Sequence, residues 1–412
     1  MPKDIPAAAA AVPTRAAAQD AIAAFTPRMG RRYTSGRNYD RGPGRHRDVS
    51  VLSPYVRRRL VLEEELAAAA VREHGPDGAE KFIQEVVWRG YFKGWLERRP
   101  ATWAAYRDGL DRDLQALETD RALRKRYDKA AAGHTGIDCF DAWVEELTDT
   151  GYLHNHARMW FASIWIFTLG LPWRLGADLF YRNLLDGDPA SNTLGWRWVA
   201  GLHTRGKTYA AQAWNITKFT EQRFTPREAD LATDTRALDH LEPDGLPPLE
   251  PLREIAQPKS GAPTVLLITE EDCRPDDFDL SALDLRAAAT LAGSHLRSPL
   301  PVADHVAAFE AGALADAASY IDLPADTLRA GVPGDLAAWA AGHGATQIAM
   351  PYVPEGPLRD WLRAAEQSLS QKGITLTEWR RDWDTAIWPH ASAGFFKVKK
   401  KVPAILATVG LP

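Results

Sequence analysis

The sequence is poor in several things, and each scarcity closes off a class of protein. Two cysteines, Cys139 and Cys273, in 412 residues are too few for a disulfide framework or a cysteine-built zinc or iron–sulfur cage. No metal is therefore expected, and a reducing cytoplasm is the expected compartment. No apolar run reaches the length of a membrane span, and the opening AAAAAVPTRAAAQDAIAAF lacks the charge-then-apolar order of a signal peptide. No membrane partner is expected. Neither sign of charge is in excess, with 50 Lys and Arg against 54 Asp and Glu, so bulk electrostatics recruit no polyanion. Any nucleic-acid contact has to use a local basic face. No GxGxxG follows the first apolar strand-like run, so the dinucleotide fingerprint is absent.

Tryptophan is abundant, at fifteen residues, most of them before residue 200. It serves commonly as core filler; concentrated in one half, it also suits stacking on a ring or passing electrons. From Pro54 to Pro247 apolar residues recur three and four apart, with short Gly/Pro breaks, which predicts an all-α region. Its expected helices are 55–74, 78–98, 114–129, 139–150, 154–169, 176–185 and a run near 209–223. Before it come an Ala-rich segment at 1–27, perhaps helical after Thr14 and given no function, and a Gly/Arg-rich loop from Arg28 to Arg47, whose arginines and glycine amides suit anions. Ser53-Pro54 reads as an N-cap followed by a first-turn proline, so a diphosphate seat is conceivable there.

Residues 228–262 form a Pro-rich linker by composition. Beyond them the period changes. Strands at 264–269, 285–291, 347–353 and 374–379 alternate with helices at 302–319, 336–342 and 358–372, the pattern of a small doubly wound parallel α/β domain over 263–412. The last stretch, RRDWDTAIWPHASAGFFKVKKKVPAIL, is expected to close that domain, its KVKKK being a solvated face or a minor polyanion contact.

The densest polar chemistry lies in TGYLHNHARMWFASIWIFTLGLPWRLGADLFYRNLLDGDPASNTLGWRWVAG, residues 150–201. Asn155 and Arg158 are three apart on an expected helix and share a face. Asp186, Asp188 and Asn192 fall in an expected loop, 186–195, able to fold over it. An arginine paired with a carboxylate in a dry pocket keeps both ionised, and such groups around a heteroaromatic ring tune its electronics. The plainer reading is a capping loop with a surface ion pair.

Five motifs in order, VSVLSPY at 49–55, EVVWRGYF at 85–92, TGYLHNHARM at 150–159, PWRLGADLF at 172–180 and DGDPASNTLGWRW at 186–198, resemble the photolyase/cryptochrome family. The resemblance covers roughly residues 30–225 and implies a helical FAD-binding domain, drawn at 28–227. It implies Ser50, Leu52 and Ser53, with Tyr39 nearby, at the FAD phosphates and ribityl chain, and Arg89, Asn155, Arg158, Asp186 and Asp188 around the cofactor. It places Asn192 toward the flavin, and Trp196 and Trp173 in the tryptophan chain that reduces the excited flavin. Glu85, Trp88, Met159 and Trp198 match positions that contact a pyrimidine dimer, with His156 beside them. The implied activity is light-driven splitting of cyclobutane dimers in UV-damaged DNA, after extrusion of the dimer from the duplex. The alternatives are a photoreceptor signalling through a protein partner without repair, and an FAD-bound remnant without photochemistry. The chain departs from the family pattern in having Ala130 at the outer tryptophan, Gly90 for an acid, Ile216 for a proline, and an α/β region after the helical one. That region is either a permuted counterpart or an unrelated module, and no antenna cofactor is expected.

Overall fold

The computed structural model describes residues 11–411; the first ten residues of the Ala-rich segment and Pro412 lie outside the described residues. The helical half runs through α1 (Arg15–Phe25), α2 (Arg31–Gly36), α3 (Ser53–Arg57), α4 (Glu63–Glu97), α5 (Pro100–Thr119), α6 (Arg121–Ala131) and α7 (Asp138–Thr150). It continues with α8 (Asn155–Ser163), α9 (Trp173–Asn183), α10 (Pro189–Val199) and α11 (Ala213–Phe219). The α/β half contains β1 (Pro263–Thr269), β2 (Asp284–Ala292), α12 (Asp304–Ala318), β3 (Ala325–Arg329), α13 (Pro333–Gly342), β4 (Gln347–Pro351), α14 (Pro357–Gln371) and β5 (Thr375–Trp379). Three short helices end the chain: α15 (Asp382–Ile387), α16 (Phe396–Lys399) and α17 (Val402–Thr408).

All strand pairs are parallel, in the order β3-β2-β1-β4-β5. Alternate side chains of β1 serve two cores. Val265 and Leu267 pack with α13 and α14, while Leu266 and Ile268 face the core shared with α12 and α4. A sheet covered on both faces reads as a continuous apolar run, and β1 does so. β3 was not anticipated, because an exposed edge strand spelled ADTLR has no such run.

Several expected boundaries move for local reasons. The helix expected over 55–74 is split between α3 and α4, with Arg59 at φ 52° in the break. Ser53 lies inside α3, whose N-cap is Leu52. Asp120 caps α6 by accepting from the backbone N–H groups of Ala122 and Leu123, which interrupts the helix expected over 114–129. The expected loop 186–195 is mostly helix, since Asp188 accepts from Ser191 N at 2.7 Å and Pro189 occupies the first turn. The Arg28–Arg47 segment contains α2 and directs its charges to its own surroundings: Arg32 and Arg41 to Asp48, Arg37 to Glu85.

The last stretch does not finish the α/β half. It returns to the helical half, and α15 with the turn Trp388–His390 packs on α4. Gly90 and Gly94, one turn apart, make the groove for it. A Cβ at Gly90 would come 2.8 Å from Ile387 Cδ1, and one at Gly94 2.7 Å from Trp388 Cα. The Gly94 contact is with backbone, so that glycine is the stricter requirement, while the glycine at position 90 leaves room for the Ile387 side chain.

The two halves also meet through charge. Arg57, Arg58 and Arg59 are buried, and point at Glu270, Glu271 and Asp272, which follow β1. Arg57 holds Glu271 through both terminal nitrogens at 2.8 and 2.6 Å. Arg59 holds Asp384 at 2.7 and 2.6 Å, and Arg381 holds Asp272 at 2.6 and 2.9 Å. Burial opposes ionisation of Glu270 and Asp272, yet the surrounding guanidinium groups outweigh it and bring both carboxyls down to about 2.

Candidate functional site: a cavity in the helical half

Helices α3, α4, α8, α9 and α10 enclose a cavity of about 540 Å³, within the size range of small-molecule and cofactor sites. Its wall begins at Ser50–Ser53, where Val51 has a φ of 52°. A β-branched residue there is strained, a feature that clusters at ligand clamps. From α4 come Glu85, Trp88, Arg89 and Phe92; from α8 come Asn155, Arg158 and Met159. The Asp186–Asp188 turn and Asn192, Trp196 and Trp198 of α10 complete it.

The charges of the wall are paired with one another. Arg158 Nη2 lies 3.0 and 2.9 Å from the two oxygens of Asp186, while its Nε donates to the Leu153 carbonyl at 2.9 Å. Burial pushes the Asp186 carboxyl up, but Arg158, Ser53 and Arg89 together hold it below the usual range. Asp188 is likewise buried and held low by Lys93, whose Nζ is 3.9 Å away, with Arg57 and Arg89. Asn192 donates through Nδ2 to the Ala177 carbonyl at 2.8 Å, which fixes its amide against α9.

Arginines from both halves brace this wall. Arg57 Nε donates to the Gly187 carbonyl at 2.8 Å, Arg58 Nη1 to the Leu185 carbonyl at 2.6 Å, and Arg297 Nη1 to the Leu184 carbonyl at 3.0 Å. The carboxylate-bearing turn is therefore held from behind by guanidinium groups that also grip the residues after β1.

Two buried polar atoms on the wall, Arg89 Nη1 and Trp196 Nε1, have no protein partner. Buried donors are rarely left unpaired, so the cavity is lined for a ligand with acceptor atoms. Paired carboxylates, an arginine, hydroxyls and indole rings suit a molecule that is anionic at one end and aromatic at the other.

Residues 82–228 match the family model described as the FAD-binding domain of DNA photolyase. Over those residues the helical half is thus similar to the FAD-binding domain of DNA photolyases. FAD is accordingly the cofactor of this domain, and the unpartnered donors and charge-paired wall fit it. The chain is 38% identical over 157 residues to a protein named deoxyribodipyrimidine photo-lyase from Streptomyces griseus, covering 38% of this chain and 33% of that protein. A protein of the same name from Thermus thermophilus is 36% identical over 211 residues, 51% of this chain and 48% of the relative. A cryptochrome DASH from Natronomonas pharaonis is 37% identical over 120 residues, 29% and 24% of the two chains. The crystal structure of a class III photolyase from Agrobacterium tumefaciens is 24% identical, with a TM-score of 0.38 over 50% of this chain and 43% of that one. The chain thus spans about a quarter to a half of the length of the curated relatives named above.

Not every anticipated residue reaches the cavity of the FAD-binding domain. Ser50, Leu52, Ser53, Glu85, Trp88, Arg89, Asn155, Arg158, Met159, Asp186, Asp188, Asn192, Trp196 and Trp198 all line it. Tyr39 does not; it packs on Phe219 at 5.2 Å under the Arg41 guanidinium. His156 also turns away, its Nδ1 3.0 Å from the Asn38 carbonyl and its ring stacked 4.1 Å from Trp160. Trp173 stands behind the wall against Tyr106 at 5.8 Å. The residue that sequence reasoning missed is Trp165, whose ring is 6.3 Å from Trp196 on one side and 6.0 Å from Tyr127 on the other. Its only sequence signal was position within an apolar helix, which any core tryptophan shares.

Proposed function

We propose that this protein is a light-driven lyase that splits cyclobutane pyrimidine dimers in DNA. The observation that carries the reading is that one cavity is lined both by Arg89, the Arg158–Asp186 pair and Asn192 and by Glu85, Trp88, Met159 and Trp198. The Glu85 side chain is 34% exposed and Trp198 is 36% exposed, so both can meet an incoming molecule.

A flavin held by these residues would supply light-driven donation and recovery of one electron, which leaves dimer splitting redox-neutral. The chain's own residues do the rest. Ser50, Ser53, Arg89 and Asp188 hold the cofactor, and Arg158 keeps Asp186 ionised as a fixed acceptor. Trp88 and Trp198 flank the extruded bases and exclude water. Glu85, steadied by Arg37, offers the hydrogen bond at the lesion. Trp196, Trp165 and Tyr127, in ring contact, relay electrons inward to activate the cofactor; Trp173 with Tyr106 forms a second relay arm.

The second reading, a photoreceptor without repair, is favoured by one observation: His156 is engaged with Asn38 and Trp160 instead of facing the cavity mouth. Counting dimers in UV-irradiated DNA after incubation with the protein under blue light and in darkness separates the two. A light-dependent fall supports repair, and Glu85→Ala should slow it with flavin still bound. Unchanged counts with flavin bound and reduced would leave the photoreceptor.

A further inference from the structure

The segment Ala391–Lys401 has no role in the cavity or in the α/β half, yet it lies against the cavity's outer wall. Phe395 stacks face to face on Trp88, with ring centroids 3.9 Å apart and planes 12° apart. Trp88 itself lines the cavity. Phe395 is buried, as is Val398, so the segment is anchored by alternate apolar side chains on α4. That anchoring accounts for Phe395 and Val398 and for nothing else in the sequence FFKVKKK.

The remaining side chains face outward. Phe396 is 78% exposed, and Lys397, Lys400 and Lys401 are exposed with no carboxylate in salt-bridge reach among the described residues. Lys399 alone has a partner, Glu80 at 3.4 Å. A cluster of exposed, unpaired cations beside an apolar ring makes a local positive potential that attracts an anion. The cluster also continues around the mouth. Tyr91 touches Phe395 at 5.6 Å and its hydroxyl lies 3.2 Å from His203 Nε2, so the segment borders the loop that carries the exposed Arg205 and Lys207.

We propose that Phe396, Lys397, Lys400 and Lys401 form a DNA-gripping edge beside the cavity, contacting backbone phosphates of the duplex flanking the extruded lesion. This rests on the repair reading, and it names how a chain with nearly balanced overall charge holds a polyanion. The lysines contribute sequence-independent affinity, and Phe396 packs on sugar or base faces exposed where the duplex is opened. Because the anchor is the Trp88–Phe395 stack, bound DNA is held in register with the lesion pocket.

The test compares the wild-type protein with Lys397→Ala/Lys400→Ala/Lys401→Ala and with the corresponding triple arginine variant. Fluorescence anisotropy with labelled duplexes, with and without one thymine dimer, is measured between 50 and 200 mM salt. The alanine variant should bind both duplexes about tenfold more weakly at low salt, with the slope of log affinity against log salt reduced by about 2 to 3. Its flavin absorbance should be unchanged, and the arginine variant should bind as the wild type does. Phe396→Ala should weaken binding without changing the slope. Wild-type binding with an unaltered alanine variant overturns the gripping edge alone. A wild-type protein that binds neither duplex but binds anionic lipid vesicles overturns both the edge and the repair reading.

Discussion

The molecule has two places where its architecture offers a ligand site, and they have opposite fates. One is the cavity of the helical half. The other is the crevice at the carboxyl ends of β1 and β4, where the strand order reverses and parallel α/β sheets commonly bind ligands. In the cavity, Arg89 Nη1 and Trp196 Nε1 are buried without partners. Beyond β1, Glu270, Glu271 and Asp272 are each met by a guanidinium from Arg57, Arg58, Arg59, Arg297 or Arg381. The same chemistry, buried arginines and carboxylates, thus makes a receptive wall where it borders an open cavity and a domain weld where it fills a seam.

The largest effect is expected from breaking the weld. Arg59→Ala leaves Asp384 and Asp272 short of a buried partner and should cost about 3–5 kcal/mol of stability, read as a fall in the urea midpoint; a shift no greater than that of a surface Arg→Ala variant would refute it. Next comes the receptive wall. Asp186→Ala leaves Arg158 unpaired and should lower flavin affinity by at least about tenfold, a loss of roughly 1.5–3 kcal/mol for a charge-assisted contact, measured as flavin retained on dilution. A variant that keeps its yellow colour would show that Asp186 is a fold residue.

Trp165→Phe should slow photoreduction several-fold, and by at least as much as Trp173→Phe, because Trp165 rather than Trp173 is the indole in ring contact with Trp196. Equal rates for Trp165→Phe and wild type would leave Trp173 as the sole arm. The smallest change concerns Glu97, which accepts from Tyr352 Oη at 2.5 Å and Glu355 N at 2.7 Å where α4 meets the end of β4. Burial, with Glu355 adding to it, pushes this carboxyl up to about 7. The folded protein binds that proton more tightly than the unfolded chain, so the associated stability is full below the ordinary carboxyl pKa and is lost as pH rises toward 7. Glu97→Gln should therefore match wild type near pH 4.5 and be the more stable of the two at pH 8 in thermal melts. Parallel curves at all pH values would contradict this.

Sequence reading went furthest where periodicity or residue chemistry acts locally. The strands β1, β2 and β4 announced themselves by their apolar residues and β5 by its place after a helix, and most cavity residues sat in motifs whose order along the chain is itself a constraint. It failed where a distant segment decides. Nothing near Gly90 hints that Ile387 will occupy the space an acid would take, and nothing in Arg57-Arg58-Arg59 names Glu270 as a partner more than two hundred residues on. His156 and Tyr39 were drawn to the cavity by motif position; the Asn38 carbonyl and the Phe219 ring hold them elsewhere. Asp188 was read as a loop residue because a capping aspartate and a ligand-contacting aspartate look alike until the backbone N–H of Ser191 is seen to point at it.

The return of α15 and the Trp388 turn to the groove at Gly90 and Gly94 also bears on how the protein is made. On the ribosome, α4 emerges some three hundred residues before the segment that covers it. Until Ile387 and Trp388 arrive, the nascent helical half exposes the bare stripe around Tyr91 and Trp95 and lacks the arginine-gripped carboxylates that brace the Asp186 turn. Closure of the wall behind the cavity therefore waits until the segment around Ile387 and Trp388 has been made, and a fragment that stops after the helical half lacks both that cover and the grip on the Asp186 turn.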